Sequence, residues 1–91
     1  MSKLHYNIIV SGRVQGVSFR AYTAEEARKI GLMGFVKNLD NGNVYIEAEG
    51  TIEQLEALVQ WCYKGSPLSK VLKVEKNQGD LKNFTEFRIQ R

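Results

Sequence analysis

The spacing of hydrophobic residues changes along this chain, and the order of the changes limits the folds open to it. In residues 4–10, apolar residues alternate with more polar ones, which is the two-residue period of a strand. In residues 19–30, apolar residues recur at helical spacing opposite a charged face, and Gly31 is suited to end such a helix. The chain is therefore predicted to begin with a strand and then a helix.

A hairpin and a second helix are predicted next. Residues 34–50 have the character of two strands around Asn41-Gly42, a dipeptide that supplies the positive φ angles of a tight turn. Thr51 and Gln54 have the spacing of a capping box, in which each side chain accepts from the other residue's backbone amide at a helix start. The second helix is therefore predicted to follow the hairpin directly.

Two further strands complete the pattern. Gly65 is predicted to end the second helix, and residues 71–75 and 85–90 look like strands on either side of a polar loop, 76–83. The order βαββαβ, with one extra short strand, predicts an α+β ferredoxin-like sandwich. In this fold, two helices pack on one face of an antiparallel sheet. We expect residues 1–91 to form a single domain.

Composition excludes several classes of protein. The single cysteine rules out an internal disulfide, which favours a reducing compartment. The sequence contains neither a signal-peptide-like apolar segment near its start nor a window approaching the ~20 apolar residues of a membrane span. A net charge of +3 is too small to indicate nucleic-acid binding by itself. We therefore expect a cytoplasmic protein.

The segment SGRVQGVSFR, residues 11–20, places positive charge where a helix is already positive. Helix starts favour acidic residues because of the backbone dipole, yet Arg20 lies in the first predicted turn and Arg13 lies nearby. Gly12 and Gly16 permit a sharp backbone whose amides can converge on one point. This pattern is typical of an anion-binding loop, although a surface turn with a solvated arginine would also explain the glycines.

Asn38 is unusual because it lies inside an apparent strand, where asparagine is disfavoured. The turn that follows already has Asn41 and Gly42, so Asn38 is not needed to form it. Its amide offers one acceptor and two donors on a rigid element, which suits holding a water molecule. A role in the turn remains the alternative.

GRVQGVSFR (residues 12–20) together with GFVKNLDNGNVYIEAEG (residues 34–50) resembles the two signature blocks of the acylphosphatase family. The resemblance extends to both helices and to the GSPLS and FTEFRI segments, and so covers essentially the whole chain. It implies a ferredoxin-like fold and hydrolysis of the carboxyl-phosphate bond of acyl phosphates. The expected substrate is a small acyl phosphate, and no metal or other cofactor is expected.

The resemblance also implies roles for individual residues. Arg20 and Asn38 would be the catalytic pair, with Asn38 orienting a water that attacks directly. The residues expected to bind the substrate phosphate are Gln15, Gly16, Val17, Ser18, Phe19 and Arg20. Ser18 stands where many members have glycine, and its hydroxyl is suited to cap the following helix. Activity is expected to survive EDTA.

Other candidate residues are assigned structural roles. His5 is a candidate general base or phosphohistidine nucleophile by residue type, but its place on the polar alternation of the first strand predicts a surface residue. Cys62 lies on the apolar stripe of the second helix and is expected in the core. Asp40 and Asp80 are interpreted as turn residues rather than magnesium ligands.

Two rival functions share the predicted fold or site. RNA-recognition domains have the same element order, but their aromatic signature belongs on the third strand, where this chain has Tyr45 among Glu47 and Glu49. A phosphate-sensing or protein-interaction module would need Arg20 but not Asn38. We expect no nucleic-acid or membrane partner, and a monomer.

Overall fold

Five strands form one mixed sheet in the computed structural model, which describes residues 2–91. The elements in chain order are β1 (Leu4–Arg13), α1 (Phe19–Ile30), β2 (Met33–Asn38), β3 (Val44–Gly50), α2 (Ile52–Lys64), β4 (Lys70–Gly79) and β5 (Phe87–Ile89). The strands lie in the order β4-β1-β3-β2-β5.

The predicted ferredoxin-like α+β arrangement is confirmed, with one correction to the strand directions. The first four strands pair antiparallel, but β5 runs parallel to β2, because β4 runs opposite to β2 and the chain reverses direction as it crosses to the other sheet edge.

Local capping signals set the helix ends. Gly31 takes a left-handed φ of 102°, and its amide donates to the carbonyl of Ala27, which ends α1 as predicted. Thr51 Oγ1 accepts from the amide of Gln54, and Gln54 Oε1 accepts from the amide of Thr51, so the predicted capping box is present. Gln54 Nε2 also donates to the carbonyl of Ile30, which ties the start of α2 to the end of α1. No helix in residues 2–91 has the length and apolar character needed to cross a membrane.

The core lies between the helices and one face of the sheet. It is built from the alternate strand residues and from the apolar stripe of each helix. Its fully buried members include Ile8, Val10, Phe19, Ala24, Ala27, Val36, Val44, Ile46, Leu55, Leu58 and Cys62. The predicted core positions of Cys62 and of the second helix's apolar stripe are therefore confirmed.

The last two strands differ in length from their predictions. β4 extends to Gly79, well beyond residues 71–75, because its backbone pairs along β1 until Gly79 lies opposite His5. Much of β4 is exposed at the sheet edge, so the strand needs no apolar alternation. β5 contains only three residues, Phe87–Ile89.

The sheet face turned away from the helices is covered in part by residues 80–86, here called the 80–86 segment. Phe84 of this segment stacks on the ring of His5 with centroids 5.9 Å apart. The prediction that His5 lies at the surface is wrong, since its exposed fraction is 1%. Glu47 and Glu49 share this face and are also buried.

Candidate active site

The loop between β1 and α1 begins at a backbone irregularity. The register of β1 against β4 shifts between Ser11 and Gly12. Gly12 has a φ of 124°, and a Cβ there would lie 2.2 Å from the carbonyl oxygen of Lys70. Any other residue would therefore push β4 away or distort the bulge. This close approach directs the chain out of the sheet and into the loop.

Two left-handed residues shape the loop itself. Gly16 has a φ of 74°, and no atom lies within 4 Å of a Cβ built on it, so the backbone faces open space. Ser18 has a φ of 61° and makes no side-chain hydrogen bond to the helix start. The expectation that Ser18 caps α1 is therefore wrong. Its conformation is one that glycine adopts without steric cost.

The backbone amides of the loop have no partner in the described part of the chain. Within residues 2–91, the amides of residues 15–18 donate to no backbone or side-chain acceptor. The first turn of α1 contains no acidic residue, so the positive end of the helix dipole is not neutralised by the chain. Converging amides at a helix N-terminus favour an anion, and a phosphate is of the right size and charge.

Arg20 adds a full positive charge at this point. Its Nη1 donates to the carbonyl of Gln90, 3.0 Å away, which anchors one side of the guanidinium. The other N–H groups remain able to bind two oxygens of one phosphate in a planar fork. Arg91 also lines the cavity, and no acidic residue does so within the described chain. The electrostatic environment therefore favours an anionic ligand.

Asn38, the last residue of β2, reaches the same cavity. Its Oδ1 is buried and accepts no hydrogen bond, and it is the one buried side-chain oxygen or nitrogen without a partner in residues 2–91. Such an atom normally has a protein or water partner, because leaving it unpaired is costly. Asn38 therefore brings to the cavity an amide whose acceptor capacity the described chain leaves unused.

The structure thus brings Arg20, Asn38 and most of the predicted loop residues together. The open cavity has a volume of about 380 Å³. Its lining residues are Val14, Gln15, Gly16, Ser18, Phe19, Arg20, Ala21, Asn38, Ile89 and Arg91. Val17 is absent from this group, because its side chain is buried and its carbonyl accepts from Ser66 Oγ at 2.9 Å.

Gln15 has a role that sequence reasoning missed. Its Nε2 donates to the carbonyls of Leu39 and Asn43, each 2.8 Å away. The side chain therefore ties the loop to the β2–β3 turn directly after Asn38. This contact fixes the distance between the loop and Asn38, and only the fold reveals it, because the partners are backbone atoms far along the chain.

The remaining candidate residues have structural surroundings. Cys62 is buried in the core, and burial raises the pKa of its thiol to about 12, so it is not a ready nucleophile. His5 lies in the buried cluster under the 80–86 segment and does not line the cavity. Within residues 2–91, no three His, Cys, Asp or Glu side chains are grouped so as to hold a metal ion. Independence from metal stays a prediction.

Comparison with known proteins gives one consistent family. A family model described as Acylphosphatase matches residues 6–89. The acylphosphatase of Syntrophobacter fumaroxidans is 43% identical over 90 residues, which cover 98% of this chain and 93% of the relative. The acylphosphatase of Bacillus licheniformis is 49% identical over 88 residues, which cover 94% and 97%.

A solved structure agrees with these sequence matches. The crystal structure of acylphosphatase from Bacillus subtilis is similar with a TM-score of 0.94 at 44% identity, over 97% of this chain and 99% of that one. The similarity therefore extends over the loop, both helices and all five strands. Because sequence and fold agree over almost the full length, this chain belongs to the acylphosphatase family.

Proposed function

We propose that this enzyme hydrolyses the carboxyl-phosphate bond of small acyl phosphates by direct attack of water on phosphorus. Arg20 and the backbone amides of residues 15–19 hold the phosphoryl group, and Asn38 orients the water. The observation that carries this proposal is that Asn38, whose buried Oδ1 has no hydrogen-bond partner in residues 2–91, lines the same cavity as Arg20. The family membership supports the same reaction.

Phosphate binding is the first step. The amides at the start of α1 and the guanidinium of Arg20 donate to the nonbridging phosphate oxygens. These donors are fixed before substrate arrives, since Gln90 anchors Arg20 and Gln15 anchors the loop. Little reorganisation is then needed when charge shifts in the transition state.

The attack itself requires orientation more than proton removal. Asn38 Oδ1 accepts one hydrogen bond from the water and directs a lone pair towards phosphorus. An amide is not a base, so the water loses its proton as the new oxygen–phosphorus bond forms. The bond between phosphorus and the acyl oxygen breaks, and the products are a carboxylate, inorganic phosphate and one proton. A carboxylate leaves readily, so the site needs no acid at the departing oxygen.

The experiment uses benzoyl phosphate as substrate and 4-nitrophenyl phosphate as a matched control with a poorer leaving group. We expect hydrolysis of the acyl phosphate alone, unchanged by EDTA. In ¹⁸O-labelled water, the label should enter inorganic phosphate and not benzoate. Label in benzoate would contradict attack at phosphorus. Phosphate binding without any hydrolysis would leave only a phosphate-sensing module.

A further inference from the structure

Glu49 lies at the end of the β2–β3 hairpin that is far from the cavity. Its carboxylate is buried, and both of its oxygens have hydrogen-bond partners. Its Oε2 accepts from the amide of Lys82 at 2.6 Å and lies 2.8 Å from Nδ1 of His5. Its Oε1 accepts from the amide of Phe84 at 3.0 Å. One side chain of β3 therefore binds two backbone amides of the 80–86 segment.

His5 fixes the orientation of that carboxylate. Its Nδ1 faces Glu49, and its Nε2 faces Asn7 Oδ1 at 3.0 Å and Glu47 Oε1 at 3.3 Å. Both ring nitrogens therefore lie against oxygen atoms of neighbouring side chains on the same sheet face. Phe84 stacks on the same ring and meets Phe35 edge-on with centroids 5.8 Å apart. The 80–86 segment is thus held by both charge and packing.

The 80–86 segment leads directly into the strand that supports Arg20. The carbonyl of Glu86 accepts from the amide of Gly34, and β5 follows with only three residues. The amide of Gln90 then donates to Val36 at 2.8 Å, while its carbonyl accepts from Arg20. A strand this short has few ladder hydrogen bonds, so its position depends on its anchors.

The two ends of β5 have different anchors. Arg28 donates through Nε and Nη2 to the carbonyl of Phe87, and the side chain of Phe87 is buried. Ahead of that point, the carboxylate of Glu49 is the side-chain acceptor that holds the segment's backbone amides. The Glu49 clamp therefore holds the chain just before β5, and the Arg28 anchor holds the first residue of β5, three residues before the carbonyl that accepts from Arg20.

We propose that Glu49 is a positioning residue for Arg20. It clamps the 80–86 segment, and through β5 it fixes the Gln90 carbonyl that orients the guanidinium. The catalytic consequence rests on the function proposed above, whereas the positioning itself concerns only this chain.

The first test is Glu49→Gln, with Glu47→Gln as matched control. The glutamine amide retains one acceptor but presents a donor to the second backbone amide, so one clamp is lost. Glu47 is buried beside it on β3 and also lies near His5, but its hydrogen bonds come from the side chains of Tyr45 and Lys82 and not from the backbone of the 80–86 segment. We expect Glu49→Gln to raise the KM for benzoyl phosphate and the Kd for inorganic phosphate by about tenfold, with a smaller change in kcat. Equal effects of the two variants would overturn the inference.

A double-mutant cycle separates positioning from general loss of structure. In an Arg20→Lys background, the fork that Gln90 orients is absent, so adding Glu49→Gln should change KM by much less. The same factor in both backgrounds would show that Glu49 does not act through Arg20, and would overturn the inference. Measurements are made where urea unfolding shows every variant fully folded.

A measurement on the substrate-free protein tests this inference separately from the proposed function. The NMR resonance of the Arg20 Nε–H group reports how firmly the guanidinium is held. We expect it to broaden or shift in Glu49→Gln and to stay unchanged in Glu47→Gln. An unchanged resonance in Glu49→Gln overturns the inference even if the wild-type protein hydrolyses acyl phosphates. A changed resonance supports it even if the protein does not.

Discussion

Two regions at opposite ends of the β2–β3 hairpin bury polar atoms and satisfy them differently. At one end, Glu49 has hydrogen-bond partners for both carboxylate oxygens. At the other end, Asn38 Oδ1 has none, and the nearby amides of residues 15–18 donate to no protein group within residues 2–91. The first region is closed by the chain, and the second is left open.

The difference separates a structural polar cluster from a ligand site. A buried polar group without a hydrogen-bond partner lowers the free energy of unfolding by about 1–3 kcal/mol. A fold therefore retains such a group only where another interaction or a function offsets this cost. Around Glu49, the compensation comes from His5 and the 80–86 segment. In the cavity, the unpaired donors and Arg20 suit an anion, and the unpaired acceptor of Asn38 suits a water. Burial is common to both regions, so the unmet hydrogen-bonding capacity is the feature that supports the proposed ligand site.

The largest expected effect comes from removing the positive charge of Arg20 from the cavity. We expect Arg20→Ala to lower kcat/KM for benzoyl phosphate by about 10²–10³ and to weaken binding of inorganic phosphate, because the main cationic donor is lost. Steady-state kinetics and calorimetric phosphate titration measure both effects. Arg88→Ala, on the exposed side of β5, is the matched control and should behave like wild type. Near-wild-type turnover by folded Arg20→Ala would contradict the role proposed for Arg20.

Asn38→Ala should separate water orientation from phosphate binding. We expect kcat to fall by about 10² while phosphate affinity stays close to wild type. Stability should not fall, because the substitution removes an unsatisfied buried oxygen.

The matched control is Asn41→Ala. Asn41 Oδ1 accepts from the amide of Asn43 at 3.0 Å, so its loss should lower stability and leave turnover intact. Reversed results for the two asparagines would remove the contrast between open and closed regions.

Acid titration tests the closed region. Burial alone would raise the pKa of Glu49, but hydrogen bonds from the Lys82 amide, the His5 ring and the Phe84 amide outweigh it and hold the pKa below the ordinary 4.5. A carboxyl whose pKa is lower when folded contributes stability above its unfolded pKa. That contribution is lost as the pH falls through the folded pKa. We therefore expect the unfolding free energy to decrease below about pH 4.5.

The corresponding measurement is urea unfolding of wild type and Glu49→Gln between pH 7 and pH 3. The variant should be less stable at pH 7 and should lose less on acidification, because one of the titrating groups is gone. The pKa of Glu47 is also held low, by Tyr45 and Lys82 against the opposing effect of burial, so some pH dependence should remain. Glu75→Gln, on exposed β4, is the surface control, because Glu75 pairs with Lys73 outside the buried cluster. Parallel profiles for Glu49→Gln and wild type would contradict this account of the cluster.

Local signals in the sequence predicted the helices and the hairpin well. The bounds of α1 follow from its apolar spacing and Gly31, and the start of α2 follows from Thr51 and Gln54. These devices act within a few residues, so the sequence contains all the information they need. Arg20 and Asn38 also stand out in the sequence, because each departs from the residue preference of its position, and their catalytic roles stay predictions.

Features that depend on distant chain segments could not be predicted in the same way. The alternation of His5 and Glu49 identifies their face of the sheet, but not that the 80–86 segment covers it. The parallel placement of β5 and the two backbone contacts of Gln15 have the same origin, since no local pattern specifies a partner far along the chain. Ser18 was misinterpreted for another reason. Serine is common at helix caps, and composition does not reveal a left-handed backbone.

Ser18→Gly is the smallest predicted effect and tests that backbone directly. At a φ of 61°, glycine avoids the contact between Cβ and carbonyl that serine makes, but it also increases the entropy of the unfolded chain. We expect a net gain of up to about 1 kcal/mol in unfolding free energy, since serine makes no cap hydrogen bond that would be lost.

Gly16→Ala is the converse control, because φ is 74° there and open space surrounds the position. It should destabilise through backbone strain alone. Both changes are measured by urea unfolding with phosphate absent and present. Destabilisation by Ser18→Gly would mean that the hydroxyl supports the loop after all.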